Sequence, residues 1–154
     1  MALYMVELLT KCLKQPEANP DLFHFAEDSF LHLDESSDAV TANFPLFFAL
    51  HLPVFFGIPP NPLKGELAAD NLYFDLKEGV FLKNQPAHPH FIEGKQALIT
   101  AELLLVRQPD ELKDIKLNHE FRRNLLFAYE TYYALHIQDF GTMKTLPVLK
   151  EILS

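Results

Sequence analysis

Asn43-Phe44-Pro45-Leu46-Phe47-Phe48-Ala49-Leu50-His51-Leu52-Pro53-Val54-Phe55-Phe56-Gly57 is the stretch on which the fold turns. It lies in a run of twenty-five residues, between Asp38 and Lys64, that carries no formal charge. Such a run reads either as a membrane span or as a helix apolar all round, buried at the centre of a globular domain. Pro45, His51 and Pro53 interrupt it, and no Lys or Arg stands close to either end of its core, Phe44–Phe56. Pro59-Pro60-Asn61-Pro62 then breaks it about two turns short of a comfortable span. The reading is a buried central helix capped by Asn43, with Pro45 in its first turn, bent or broken at Pro53 and stopped by a left-handed Gly57.

Working outward, residues 2–15 have helix-forming composition and stop at Gln15-Pro16. Asn19-Pro20-Asp21 starts a second helix: Asn accepts from the free N–H groups, Pro sits where no N–H is needed, and the acid favours the positive helix end. Its apolar stripe is Leu22, Ala26, Phe30 and Leu33, with Glu27, Asp28, Asp34 and Glu35 outside. Residues 58–93 form a Pro/Gly-rich insertion holding a hairpin, Leu72–Leu76 and Val80–Leu82 around Lys77-Glu78-Gly79. After Gly94 a helix runs to Arg107, with Leu98, Ala101, Leu104 and Leu105 spaced to face a core. Pro109-Asp110-Glu111 opens a short helical turn, and Asn118 caps the longest helix, His119 to about Ile137. That helix has one stripe of Phe121, Leu125, Tyr129 and Tyr132 and another of Leu126, Tyr133 and Ile137, so it packs on two sides. Gly141 breaks the chain, Thr145 caps, and Leu146, Leu149 and Leu153 give a terminal helix. The expectation is a mainly α fold: one compact helical domain over residues 1–154, about six helices, and a small β-hairpin in the insertion.

Composition narrows the function classes. The net charge is -8, and the excess lies in residues 1–75, with eleven acids and three bases, against ten of each in residues 76–154. Asp21 to Asp38 contains six carboxylates and no Lys or Arg, which argues against a free-standing nucleic-acid binder. The single cysteine, Cys12, permits neither an internal disulfide nor a Cys-rich zinc site and reads as core packing in a reducing, cytoplasmic compartment. No basic n-region precedes the apolar N-terminal residues, so a signal peptide is not expected. No Glu-x-x-His pair, nucleophile elbow, phosphate loop or dinucleotide fingerprint is present, and His24 with Asp28 one turn later reads as a surface contact. His88-Pro89-His90 offers two imidazoles to a metal, with Glu93 as the neighbouring acid, and leaves a metal-dependent hydrolase as one alternative. Chemistry alone describes a helical interaction module, with a generic dimerisation module as the other alternative, no cofactor and no catalytic residues.

Five phrases occur together: Asp21–Phe30, Ala42–Phe48 with its close Gly57–Asn61, Tyr73–Phe81, Tyr132-Tyr133-Ala134-Leu135-His136-Ile137-Gln138-Asp139-Phe140-Gly141, and Lys144–Leu153. The chain resembles DNA repair protein RecO, nearest to members from Bacteroides-like bacteria, and the Tyr-Tyr-x-Leu-His phrase is the most specific carrier. The resemblance covers nearly the whole chain but only the larger, helical C-terminal part of the family; the N-terminal OB-fold has no counterpart here. The four-cysteine zinc knot that many members place in the region of residues 58–93 is also without counterpart. The resemblance implies a recombination mediator without enzymatic turnover. Such a protein binds RecR and single-stranded-DNA-binding protein, anneals complementary strands and helps place RecA, meeting single-stranded DNA chiefly through the OB-fold. A receptor for the acidic, apolar-ended tail of single-stranded-DNA-binding protein needs an apolar groove rimmed by cations. The expected rim is Lys113, Lys116, Arg122 and Arg123. No membrane partner is expected.

Overall fold

The computed structural model describes residues 2–13, 19–65 and 70–147. The uncharged run becomes α3 (Asp38–His51), followed without a break by a 3-10 helix, Leu52–Phe56, that closes on Gly57 at φ 74°. Pro53 forces that change: it has no N–H to continue the α ladder, and the tighter turn needs none from it. Every residue from Asn43 to Leu50 is buried. Asp38–Phe56 is long and apolar enough to cross a membrane by length and composition, yet most of it is packed inside the fold. Phe44, Leu46 and Phe48 are each 0% exposed, and full burial of such a side chain contributes about 1.5–3 kcal/mol. This helix therefore runs through the centre of the core.

Asn43 does not cap it. Ser37 does, its side chain accepting from the Val40 N–H at 3.5 Å, so the helix begins six residues earlier than the sequence suggests. Pro45 accordingly sits in the second turn.

Four more α-helices surround α3. α1 (Ala2–Cys12) buries Tyr4, Met5, Leu8 and Cys12 and ends before the expected Gln15-Pro16 stop; residues 14–18 lie outside those described. α2 (Pro20–Glu35) starts as anticipated, with the Asn19 side chain accepting from the Leu22 N–H at 3.1 Å. Leu22 and Ser29 are buried, Phe25, Ala26, Phe30 and Leu33 half-buried, and Glu27, Asp28, Asp34 and Glu35 exposed. α4 (Lys95–Leu105) ends before Arg107, and Leu105 is 53% exposed rather than core-facing. Its buried residues are Ala97, Ile99, Thr100, Ala101 and Leu103, with Leu98 and Leu104 half-buried. A 3-10 helix, Pro109–Asp114, leads to α5 (His119–His136), capped by Asn118 through the Phe121 N–H at 2.8 Å. Both α5 stripes are used: Leu125, Leu126, Tyr129, Tyr132 and Tyr133 are buried.

The insertion holds more than a hairpin. β1 (Tyr73–Asp75) pairs antiparallel with β2 (Val80–Leu82), Phe74 opposite Phe81, and on its other edge with β3 (Phe91–Glu93), Phe74 opposite Ile92. Gly79 turns the hairpin at φ 69°. The Asp75 carboxylate organises the loops around it. Its Oδ1 accepts from the N–H groups of Lys77 at 2.9 Å and Glu78 at 3.0 Å, and His88 Nε2 stands 2.9 Å away in an ion-pair contact off the hydrogen-bond line. Burial pushes this carboxyl up, but the Glu78 N–H, His88 and the Lys77 N–H outweigh it and hold it below the ordinary value.

α5 bolts these parts together through polar tips. Tyr133 donates its O–H to Ala49 O of α3 at 2.7 Å, Tyr132 donates to Ile58 O, and His136 Nε2 donates to Leu76 O at 3.0 Å. Tyr129 donates to Thr100 Oγ1 of α4 at 2.7 Å, since the Thr100 hydroxyl hydrogen is committed to Gln96 O.

At the far end, a helical turn begins at Thr145; Thr145–Pro147 are its described residues, and the rest of the expected terminal helix lies outside them. Thr145 is not its own cap. Glu7 of α1 accepts from the N–H groups of Lys144 and Thr145 and from the Thr145 hydroxyl, at 2.8–3.0 Å. Burial raises the Glu7 carboxyl, but these donors and the Lys11 charge lower it further, so its folded pKa lies below the ordinary 4.5. A depressed carboxyl gives stability that is complete above the unfolded value and lost as pH falls through the folded one. Thermal melts from about pH 7 to about pH 3 should show Glu7→Gln less stable than the parent at neutrality, with the gap closing below about pH 4. A gap independent of pH would contradict the assignment.

Candidate protein-docking surface

The four cationic residues singled out in the sequence fall on one connected segment, the 3-10 helix Pro109–Asp114 and the start of α5. Lys113 and Lys116 are exposed, and Arg122 and Arg123 are half-buried. Half-buried Ile115, Leu117 and Phe121 lie among them and pack on the core, giving the segment an apolar floor. A fifth cation joins them that the sequence did not single out: Lys95, at the start of α4, places its Nζ 5.1 Å from the centre of the Phe121 ring. Among the described residues Lys113, Lys116 and Arg123 have no ion-pair partner. Acids interleave with them, Asp110, Glu111, Asp114 and Glu120, but Glu111 is turned back to accept from the Gln108 N–H at 3.0 Å.

Arg122 differs from its neighbours. Its Nε donates to Asn43 Oδ1 at 2.8 Å, and its Nη1 lies 3.5 Å from His119 Nδ1. Asn43 is 1% exposed, and its Nδ2 donates to Leu112 O at 3.0 Å and to Ile115 O at 2.7 Å. Two carbonyls and a guanidinium leave one possible orientation for the amide. The side chain thereby joins the middle of α3 to the 3-10 helix and to α5. Burial lowers the Arg122 pKa without bringing it near neutrality. One of the four cations is thus a structural strut, which spacing along the chain could not reveal because Asn43 lies seventy-nine residues away.

The histidine pair gives no open ligand set. His88 Nδ1 accepts from the His90 N–H at 3.0 Å, and His88 Nε2 is buried 2.9 Å from Asp75 Oδ1 without a hydrogen bond, so both ring nitrogens are turned into the insertion. Among the described residues no group of three or more His, Cys, Asp or Glu side chains is arranged to hold a metal ion. His24 and Asp28 are both exposed on α2. Cys12 is buried in the core, where packing was expected to place it.

Comparison with known proteins places this surface in context. The family described as Recombination protein O C terminal matches residues 1–63. A DNA repair protein RecO from Christiangramia forsetii is 35% identical over 99% of this chain and 60% of its own length. Those of Phocaeicola vulgatus, at 32% over 100% and 62%, and Bacteroides fragilis, at 31% over 99% and 61%, align likewise. The chain therefore spans about three fifths of the length of these relatives. No solved structure matches it.

Replacing Asn43 with Ala strands two carbonyls and the Arg122 Nε at a buried to half-buried site, a loss of about 3 kcal/mol. A domain of this size should then melt about 6–12 °C lower. A double-mutant cycle with Arg122→Ala should return a coupling of about 1–3 kcal/mol by urea denaturation; strict additivity would remove the strut.

Proposed function

The chain belongs to the RecO family, whose C-terminal region it matches, and on that footing we propose that it is the protein-docking half of a DNA repair and recombination mediator. Its task is to hold partners rather than to turn over a substrate. The partners are RecR and the acidic C-terminal tail of single-stranded-DNA-binding protein. Through them the chain contributes to strand annealing and to placing RecA on coated single strands. Single-stranded DNA itself is met chiefly by the part of the family protein that lies outside this chain. The observation that carries the reading is the near-complete alignment with relatives described as DNA repair protein RecO.

The surface supports it in kind. A tail that is acidic and ends in apolar residues and a carboxylate needs a greasy floor with unneutralised cations at its edge. Phe121, Ile115 and Leu117 supply the floor, and Lys113, Lys116 and Arg123, with Lys95 above Phe121, supply the edge. Arg122 serves by holding α5 against α3, which keeps the edge in register.

The test is fluorescence anisotropy of a labelled peptide copying the C-terminal tail of the host's single-stranded-DNA-binding protein, beside labelled single-stranded DNA, at low and moderate salt. Saturable peptide binding that weakens with salt, with little DNA binding, is expected. Lys113→Glu combined with Lys116→Glu and Arg123→Glu should weaken it at least about tenfold without changing the melting temperature. Arg122 is left intact in this series, because altering it would disturb Asn43. Peptide binding indifferent to the triple reversal, or strong DNA binding without peptide binding, would overturn the proposal.

A further inference from the structure

The outer face of α2 combines exposed apolar side chains with a run of carboxylates. Phe23 is 76% exposed and Leu31 54%, two large apolar side chains left in water. They sit eight residues apart, about 12 Å along the axis, on the face opposite the core-facing Leu22, Phe25 and Ser29. Glu27 and Asp34 lie between them around the helix, flanked by Asp28 and Glu35, and all four are exposed. Among the described residues no carboxylate of α2 has an ion-pair partner. His24 and His32 are the basic-type side chains on the helix, with no Lys or Arg from Asp21 to Asp38.

We infer that this face of α2 docks a second protein partner through a groove with an apolar floor and a rim of Lys and Arg, distinct from the acidic-tail surface on the 3-10 helix and α5. Phe23 and Leu31, about two turns apart on one side of the helix, are the two anchors, and the carboxylates between and beside them match the rim in charge. Charge decides the occupant. Nucleic acid is repelled by the four unneutralised carboxylates of this face. A second copy of this chain fits poorly, since each copy carries a net charge of -8 and its cation-bearing segment, residues 109–123, balances four bases with four acids. A cationic protein surface answers both the charge and the exposed side chains. The inference does not depend on the tail-docking reading, because it uses other residues and a partner of opposite charge.

The test uses the whole chain and a fluorescein-labelled amphipathic helical peptide of Leu and Lys, about as long as α2, beside a peptide of equal charge with every Leu replaced by Ser. The Leu/Lys peptide should bind at least about tenfold tighter than the Ser/Lys one, and added salt should weaken both. Phe23→Ala with Leu31→Ala should abolish that preference while leaving the melting temperature unchanged, since both side chains are exposed. Leu105→Ala, an exposed leucine on α4, should leave it intact. Equal binding of the two peptides, an unchanged preference in the double variant, or an equal loss in the Leu105 variant would overturn the inference. Sedimentation of the parent supplies a further arm: concentration-dependent association abolished by the Phe23 and Leu31 changes would make this face a self-interface and overturn it as well.

Discussion

Asn43 lies fully buried in the middle of the central helix with both amide hydrogens and its oxygen bonded to protein. Its neighbours from Phe44 to Leu50 are all buried, and apolar burial has no preferred direction, so a helix greasy on every side has little to choose one rotation over another. Polar contacts make the choice. Asn43 faces the 3-10 helix and Arg122, the Ala49 carbonyl takes the Tyr133 hydroxyl, and His51 Nε2 reaches Leu103 O of α4 at 3.0 Å. Burial lowers the His51 pKa and so keeps the imidazole neutral and donating, despite the opposing pull of that carbonyl. Three residues on one helix, Asn43, Ala49 and His51, set the positions of α4, α5 and the segment between them. That segment is where the cations are displayed.

The phrase Tyr132-Tyr133-Ala134-Leu135-His136, the most specific of the five in the sequence, has a physical reading in the same terms. Each of its three polar tips reaches a carbonyl in a different part of the chain: Ile58 in the Pro-rich segment, Ala49 in α3 and Leu76 in the hairpin turn. Gly79 completes the clasp. A Cβ there would stand 3.3 Å from the Tyr132 hydroxyl, and its φ of 69° already favours glycine. The insertion is thus held by α5 and by the Asp75 carboxylate, without the cysteines that many of the family's members use in this region.

What was legible in the sequence was what is decided locally. Asn19 and Asn118 cap helices because a cap bonds three residues onward, and the hairpin announced itself through Gly79 and alternating Tyr73, Phe74 and Asp75. Asn43 carries the same local signature, polar and two residues before a proline, but its partners lie sixty-nine to seventy-nine residues away, and only the fold brings them near. β3 escaped notice because three residues show no period of their own, and its pairing partner is β1 across a proline-rich loop. Leu105 was misplaced because α4 ends there and the last turn points it outward. For the proposed docking surface, residue type alone picks out Lys113, Lys116, Arg122 and Arg123 as a group. It could not separate Arg122, whose work is internal, from the others, nor supply Lys95, which joins Phe121 only through the packing of α4 beside α5.

Glu7 and Lys11 of α1 both reach far along the chain, to Lys144 and Thr145 and to the Phe140 carbonyl, the last at 2.9 Å. During synthesis α1 therefore leaves the ribosome well before the residues that complete it. At ordinary rates of translation the interval is about 7–27 s. Throughout it Tyr4, Met5 and Leu8, which end fully buried, have no finished site to enter. The nascent chain thus presents a greasy helix for far longer than a helix takes to form.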